Sequence, residues 1–221
     1  MHRRQAYFIT GTDTGVGKTY ATCALLHAAR RRGTTALGMK PVAAGVDALG
    51  HNEDVEQLIA ASSIAAPKGL VNPYCFRSAI APHLAAAEEG VSVELQKLVG
   101  ALNELRSLAD LVLVEGVGGF RVPLAATIDT ADMARLFGLP IILVVGLRLG
   151  CLNHALLTIE AVESRGLALA GWIANCIDPA MDRWQNNVSA LRERMDAPLL
   201  GILPYQSPPD PAAASNELIL P

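Results

Sequence analysis

Short apolar runs alternate with longer stretches of helical periodicity along this chain. Tyr7-Phe8-Ile9 predicts a first strand, and Ala36 to Val42 a second. Leu111-Val112-Leu113-Val114 and Ile141 to Val145 are unbroken apolar runs, the pattern of strands covered on both faces. Leu169 to Ala174 and Leu199 to Leu203 predict two more. Lys18 to Arg32 places Ala21, Leu25 and Ala28 on one helical face. Arg30, Arg31 and Arg32 suit the negative end of that helix, and Gly33 the position just past it. Further helices are expected near 92–107, 130–137, 151–165 and 181–195. Strand and helix in alternation specify an α/β fold, a mostly parallel sheet with helices on both faces. No Pro/Gly/Ser linker divides the chain, so residues 1–221 are read as one domain. Segment 44–91 carries the least readable pattern. The tail 207–221, with Pro208, Pro209 and Pro211, is expected to be irregular.

Composition narrows the function classes. Hydrophobic residues make up 51% and charged residues 18%, which excludes a disordered chain. Aromatics are only 5%, so Ala, Leu, Val and Ile must fill the core. A net charge of −3 argues against a general nucleic-acid binder. Cys23, Cys75, Cys151 and Cys176 form no Cys-x-x-Cys pair and read as free thiols of a reducing compartment. His2, His27, His51, His83 and His154 show no zinc-ligand spacing. The basic start Met1 to Gln5 is followed only by Ala6 to Ile9, too short an apolar stretch for a signal peptide. No run approaches the ~20 apolar residues of a membrane helix. The expectation is a cytoplasmic protein with no membrane and no nucleic-acid partner.

Open α/β sheets bind ligands beyond the carboxyl ends of their strands. After Ile9 comes Thr10-Gly11-Thr12-Asp13-Thr14-Gly15-Val16-Gly17-Lys18-Thr19, and then a helix. Gly17-Lys18-Thr19 ends like a phosphate-binding P-loop. Glycines let successive N–H groups curl around phosphate oxygens, and the helix N-terminus adds its positive end. Lys18 can reach the terminal phosphates, and the Thr19 hydroxyl can hold magnesium. The usual first glycine falls on Thr12, with Gly11 one residue earlier. The same stretch fits the Thr-Gly-x-x-x-Gly-x-Gly loop of short-chain dehydrogenases. That reading needs a Tyr-x-x-x-Lys pair, which none of Tyr7, Tyr20, Tyr74 and Tyr205 supplies. A third reading is a glycine-rich turn that binds nothing.

Only four of the 18 basic residues are lysines: Lys18, Lys40, Lys68 and Lys97. Lys18 and Lys40 both stand beside strand ends, where a compact ammonium fits a crowded phosphate site better than a guanidinium fork. For Lys40, a charge reaching solvent is the alternative. Leu111 to Val114 leads into Glu115-Gly116-Val117-Gly118-Gly119. A carboxylate at the end of a buried strand is a usual magnesium partner, and the glycines allow backbone to approach a phosphate. Asp54 is a second candidate carboxylate, with helix capping as its plainer reading.

With these residues placed, the sequence resembles the dethiobiotin synthetase family of P-loop NTPases. The likeness rests on Gly-Thr-Asp-Thr-x-Val-Gly-Lys-Thr at 11–19, Lys40-Pro41-Val42-Ala43, Asn72-Pro73-Tyr74 and Ala81-Pro82-His83. It continues through Val114-Glu115-Gly116-x-Gly118-Gly119, Leu149-Gly150-Cys151-x-Asn153-His154, Ala170-Gly171-Trp172-x-Ala174-Asn175 and Pro198-Leu199-Leu200-Gly201. The resemblance implies that ATP, CO₂ and 7,8-diaminononanoate give dethiobiotin, ADP and phosphate, with Mg²⁺ as cofactor. It further implies that Thr19, Asp54 and Glu115 surround Mg²⁺, and that Gly15, Val16, Gly17, Lys18, Thr19 and Tyr20 wrap the nucleotide phosphates. Gly116, Val117 and Gly118 approach the nucleotide from a second loop. Asn175 and Cys176 face adenine with Pro204, Tyr205 and Gln206. Lys18 and Lys40 are the implied catalytic pair. Thr14, Lys40, Gly150, Cys151 and Asn153 would bind substrate, the last three for the neighbouring subunit of a homodimer. Two positions depart from the family: Gly15, where many members carry Glu, and Ala44, where Ser is frequent. A partitioning or metal-delivery ATPase switch is the other class considered. Such proteins carry a lysine early in the loop, at the position of Asp13 here.

Overall fold

A computed structural model describes residues 4–221. Met1, His2 and Arg3 of the basic start lie outside the described residues. The first half of the chain runs β1 (Gln5–Gly11), α1 (Lys18–Arg31), β2 (Ala36–Met39), β3 (Val42–Ala44), α2 (Glu53–Ala61), α3 (Lys68–Val71), β4 (Tyr74–Phe76), α4 (Pro82–Glu88) and α5 (Leu95–Leu108). The second half runs β5 (Leu111–Glu115), α6 (Thr130–Phe137), β6 (Ile141–Leu147), α7 (Cys151–Ser164), β7 (Leu169–Cys176), α8 (Trp184–Arg192), β8 (Leu199–Leu203) and α9 (Pro211–Ala214).

The main sheet has six parallel strands in the order β2-β5-β1-β6-β7-β8. Alternation along β5 explains its unbroken hydrophobicity. Leu111 and Leu113 face Leu25 and Leu26 of α1, whereas Val112 and Val114 face the cluster holding Leu98, Leu102 and Leu105 of α5. A third cluster joins Leu143, Val145 and Trp172 to Val188 and Leu191 of α8. The chain turns from one side of β1 to the other between β5 and β6, so the crevice beyond the carboxyl end of β1 is where a ligand is expected. No helix among the described residues is long and apolar enough to cross a membrane.

Three expectations change. The strand expected over Ala36 to Val42 breaks at Lys40-Pro41. Pro41 has no N–H for a ladder, Lys40 donates its N–H to the Val71 carbonyl at 2.8 Å, and the chain after it pairs with β4 in a separate two-stranded parallel sheet. The helix expected over 181–195 is shortened to Trp184–Arg192; its later start follows from Arg183, which sits at φ 54°. The tail is ordered where irregularity was expected. Asp210 caps α9 through the Ala213 N–H, and Pro211 occupies the first helical turn, where no N–H is needed. Ala214 and Leu218 are buried in the cluster of α1, and Ile219 donates to the Leu200 carbonyl at 2.9 Å.

Candidate active site

The loop after β1 leaves the start of α1 bare. Gly17 sits at φ 83° as its N-cap, with no side-chain cap and no acidic residue in the first turn. By contrast, α2 is capped by Asn52 and carries Glu53, Asp54 and Glu56 at its start, and α6 has a full capping box. An uncapped N-terminus keeps its N–H groups and positive end for an anion. A side chain at Gly17 would be strained at this φ and would overlap Asn175 Nδ2, which donates to the Val16 carbonyl at 2.9 Å. Lys18 is buried, and its Nζ donates to the Asp13 carbonyl at 3.0 Å. Burial, reinforced by the charge of Lys40, lowers its pKa to about 8 against the pull of Glu115 and Asp54. Asp13 in turn accepts from the Thr14 N–H and from Arg148.

Beneath this loop two carboxylates, a hydroxyl and an ammonium meet. Glu115 ends β5 in register with Ile9 and is fully buried. Asp54 arrives from the first turn of α2. It is not the cap: the Asn52 side chain accepts the Val55 N–H, and the Asp54 carboxylate turns inward. Thr19 Oγ1 lies 2.9 Å from Asp54 Oδ1 and 2.8 Å from Glu115 Oε1. Its one proton serves one carboxylate at a time. Lys40 Nζ donates to Asp54 Oδ2 at 2.8 Å and to Glu115 Oε1 at 2.5 Å. Burial alone would lower the Lys40 pKa, but Glu115 and Asp54 outweigh it and the net shift is upward. Burial would raise the Asp54 pKa, yet Lys40 outweighs that and the net shift is downward. Lys40 is therefore no solvent-reaching charge; it is buried between two carboxylates.

Glu115 Oε2 is buried without a hydrogen-bond partner. An orphaned carboxylate oxygen beside a second carboxylate and a threonine hydroxyl fits a hard divalent cation. Among the described residues no group of three or more His, Cys, Asp or Glu could enclose a metal ion. A metal here would depend on oxygens from outside the protein, as phosphate and water supply to Mg²⁺.

A cavity of about 770 Å³ opens over these groups. One wall is polar, with Thr14, Lys18, Thr19, Lys40, Asp54 and Glu115. The other is apolar: Ala44, Ala79, Ile80, Pro82, Val117 and Val122. Ala81, Gly15, Gly17 and Gly118 complete its lining, while Gly116 turns inward and donates its N–H to the Ile9 carbonyl. Sequence reasoning passed over Ile80 and Val122, since single apolar residues in an unpatterned segment carry no chemical signal. A second cavity of about 490 Å³ holds Cys176, Pro204 and Tyr205 together with Asp178, Trp184 and Ile202. Gln206 accepts from the Tyr20 hydroxyl at 2.9 Å, which ties this loop to α1. Gly150, Cys151 and Asn153 line neither cavity. Gly150 starts α7 at φ 94°, Cys151 is buried beneath it, and Asn153 is exposed.

The parallel sheet, glycine loop and bare helix start define a P-loop ATPase domain, and a family model described as AAA domain matches residues 5–213. The MinD cell division protein of Aquifex aeolicus superposes with a TM-score of 0.56 at 19% identity, covering 96% of this chain and 86% of that one. A ParA family ATPase from Chlorobium tepidum gives 0.56 at 13%, covering 93% and 86%. These likenesses concern the fold. Sequence goes further. The ATP-dependent dethiobiotin synthetase BioD of Aromatoleum aromaticum is 58% identical across the whole of both chains. That of Nitrosospira multiformis is 51% identical over 99% of this chain and 96% of its own. The chain belongs to the ATP-dependent dethiobiotin synthetase family.

Proposed function

We propose that this protein closes the ureido ring of dethiobiotin from 7,8-diaminononanoate, CO₂ and ATP, releasing ADP and phosphate. One substrate amine adds to CO₂, loses a proton and becomes a carbamate. A carbamate oxygen attacks the γ-phosphorus, and ADP leaves. The second amine attacks the resulting carbamic–phosphoric anhydride at carbon, the C–O bond to phosphate breaks, and a proton leaves with ring closure. The observation that carries this reading is the junction of two walls in one cavity. Ammonium and carboxylate groups lie under an anion-binding loop, and apolar side chains suited to an aliphatic chain line the same cavity.

The residues act by position and charge. Lys18, with N–H groups from Gly15 to Thr19, holds the phosphoryl group. Lys40 neutralises the carbamate and the transferring phosphoryl oxygens. Thr19, Asp54 and Glu115 would hold Mg²⁺, which would supply charge neutralisation at the phosphates. Thr14, Val117 and Gly118 line the same cavity beside them. Asn175, Cys176 and the Pro204–Gln206 loop take the adenine end.

The segment Gly150–Asn153 serves the partner's substrate in a homodimer. What supports this is the start of α7: Leu149 is 94% exposed and Leu157 is 57% exposed, an apolar surface beside a helix N-terminus that reaches neither cavity of its own chain. Mixing inactive Lys18→Ala protein with an inactive Asn153→Ala variant then restores activity, since hybrid dimers contain one intact composite site. No rescue under demonstrated subunit exchange would place each site within one chain. The reaction itself is tested by ADP release at constant magnesium with and without diamine and dissolved CO₂. Release only when both are present is expected, because the phosphoryl acceptor is the carbamate. Equal release in all four mixtures overturns the reading.

A further inference from the structure

Lys40 stands where a metal ion would have to be. Its ammonium contacts Asp54 Oδ2 and Glu115 Oε1, and the Thr19 hydroxyl touches Asp54 Oδ1 and that same Glu115 oxygen. Both Lys40 and Glu115 are buried, with side-chain exposures of 4% and 0%. Two carboxylates packed this closely need a cation, because an unpaired charge in a buried site is strongly disfavoured. The Thr19 hydroxyl offers one proton and no charge.

We propose that Lys40 is the resting-state counter-ion of the metal carboxylates, and that a divalent cation and the Lys40 ammonium alternate on Asp54 and Glu115. This rests on the assignment of those two carboxylates to Mg²⁺. Lys40 is thus a positioning residue before it is a catalytic one. In the absence of metal it keeps Asp54, on α2, and Glu115, on β5, assembled in the geometry the cation needs. Arrival of the cation releases it.

Charge and reach support the exchange. Lys40 with Asp54 and Glu115 sums to one negative charge, and a dication brings the group to one positive charge. An ammonium and a dication sharing the same carboxylate oxygen repel, and the repulsion is strong where water is scarce. The Lys40 backbone is fixed, with its N–H on the Val71 carbonyl and its own carbonyl accepting from Asn72 Nδ2 at 2.6 Å. Its four-carbon stem carries rotatable bonds through which the ammonium can be redirected. Lys40 lines the same cavity as Lys18, so an ammonium released by the carboxylates swings into the space between the phosphate loop and the apolar wall. The metal would deliver its own charge and also free a second cation at the place where a carbamate and a phosphoryl group meet. The orphaned Glu115 Oε2 is an acceptor that the ammonium leaves unused.

The test needs no turnover. Mn²⁺ binding is followed by the electron paramagnetic resonance of the free ion, without nucleotide, for wild type, Lys40→Met and Lys40→Met/Asp54→Asn. Removing the internal competitor should tighten Mn²⁺ binding by about tenfold or more, and adding Asp54→Asn should abolish the gain. Equal or weaker binding by Lys40→Met, or binding by neither protein, overturns the proposal. A second measurement on wild type does not depend on the folding of that variant. The chain has four lysines, so ¹⁵N-lysine labelling gives at most four ammonium signals. Lys68→Arg and Lys97→Arg assign the two surface groups and leave the buried pair. On titrating Mg²⁺ without nucleotide, one buried signal should shift or broaden into exchange with water, while Lys68 and Lys97 stay in place. Unchanged buried signals at a Mg²⁺ concentration that displaces bound Mn²⁺ overturn the proposal. Neither readout involves the diamine, so failure here leaves the ring-closing reaction standing, and failure of that reaction leaves this result standing.

Discussion

The two walls of the main cavity are built on different principles. Most of the charged wall hangs from the main sheet and from α1. Glu115 closes β5, Lys18 and Thr19 open α1, and Lys40 follows β2, all at the carboxyl edge of a sheet whose strands β2, β5 and β6 are buried throughout. Apart from Val117 and Val122, in the loop after β5, the apolar wall comes from short elements. Ala44 ends the three-residue β3, Ala79 to Ala81 form a loop, and Pro82 begins the seven-residue α4. A six-stranded sheet holds its edge groups rigidly because each strand is hydrogen-bonded and covered on both faces. A two-stranded sheet has no such independence and takes its place from what it packs against. The charge-handling side is fixed by the scaffold, and the apolar side is held mainly by local packing. The strongest effects should therefore follow from changes in the charged wall, and those in the apolar wall should touch only substrate affinity.

Lys18→Ala strikes the charged wall hardest. ADP formation should fall by roughly 10³-fold or more, the scale of a lost transition-state charge clamp. The fold should survive, since the substitution removes a buried charge and no core contact. Product formation within tenfold of wild type would remove Lys18 from the reaction. Next come the carboxylates. Glu115→Gln and Asp54→Asn should each raise the magnesium needed for half-maximal activity, by about 10- to 100-fold. Glu115→Gln should also lower stability by roughly 3 kcal/mol without metal, because Lys40 then loses its buried partner. Asp54 is 43% exposed at its side chain, so Asp54→Asn should cost much less. Denaturant titration separates the two. A larger loss for Asp54→Asn would reverse this ranking.

These differences explain what could be read from sequence. The strand-helix alternation was legible because parallel strands covered on both faces must be apolar throughout. Lys18, Thr19 and Glu115 were legible because they follow such strands at fixed offsets. Asp54 was half legible: Asn52-Glu53-Asp54 signalled a helix start, and only the structure shows that Asn52 caps while Asp54 turns inward. The break at Lys40-Pro41 was hidden, since Val42 and Ala43 continue the apolar run of β2 while pairing with a different sheet. Ile80 and Val122 were not legible at all. Their role depends on long-range packing, and an apolar residue in a short element carries no periodicity. In the tail, three prolines within four residues, Pro208, Pro209 and Pro211, argued for disorder of pattern. Pro211 instead starts α9, a position prolines favour.

Ile80→Ala probes the apolar wall. Ile80 is 41% exposed, so truncation removes only part of a side chain's apolar contact, about 1 kcal/mol. The KM for the diamine should rise several-fold with kcat unchanged, the signature of lost uniform binding. The affinity for ADP should not move. A fall in kcat at saturating diamine would show that this wall takes part in the chemistry.

The smallest effect is a fraction of a proton, and it reports on the charged wall before any chemistry occurs. Burial and the neighbouring Lys40 lower the Lys18 pKa to about 8, from 10.5. A lysine pKa lowered on folding is a penalty on the folded state below pH 8. Between pH 8 and 10.5 the unfolded chain binds more protons than the folded one, so this group makes stability rise with pH across that window. Bound phosphates reverse the balance, because an anion beside Lys18 favours its charged form. ADP binding at pH 8 should therefore take up close to half a proton at Lys18, and the Lys18 share should fall toward zero at pH 6.5, where Lys18 is already charged and only the terminal phosphate of ADP titrates. Calorimetry in buffers of different ionisation enthalpy measures this uptake directly, and the apparent affinity should weaken as pH rises above 8. Buffer-independent heats at pH 8 would mean that Lys18 is fully charged in the free protein, and that the carboxylates beneath it outweigh burial after all.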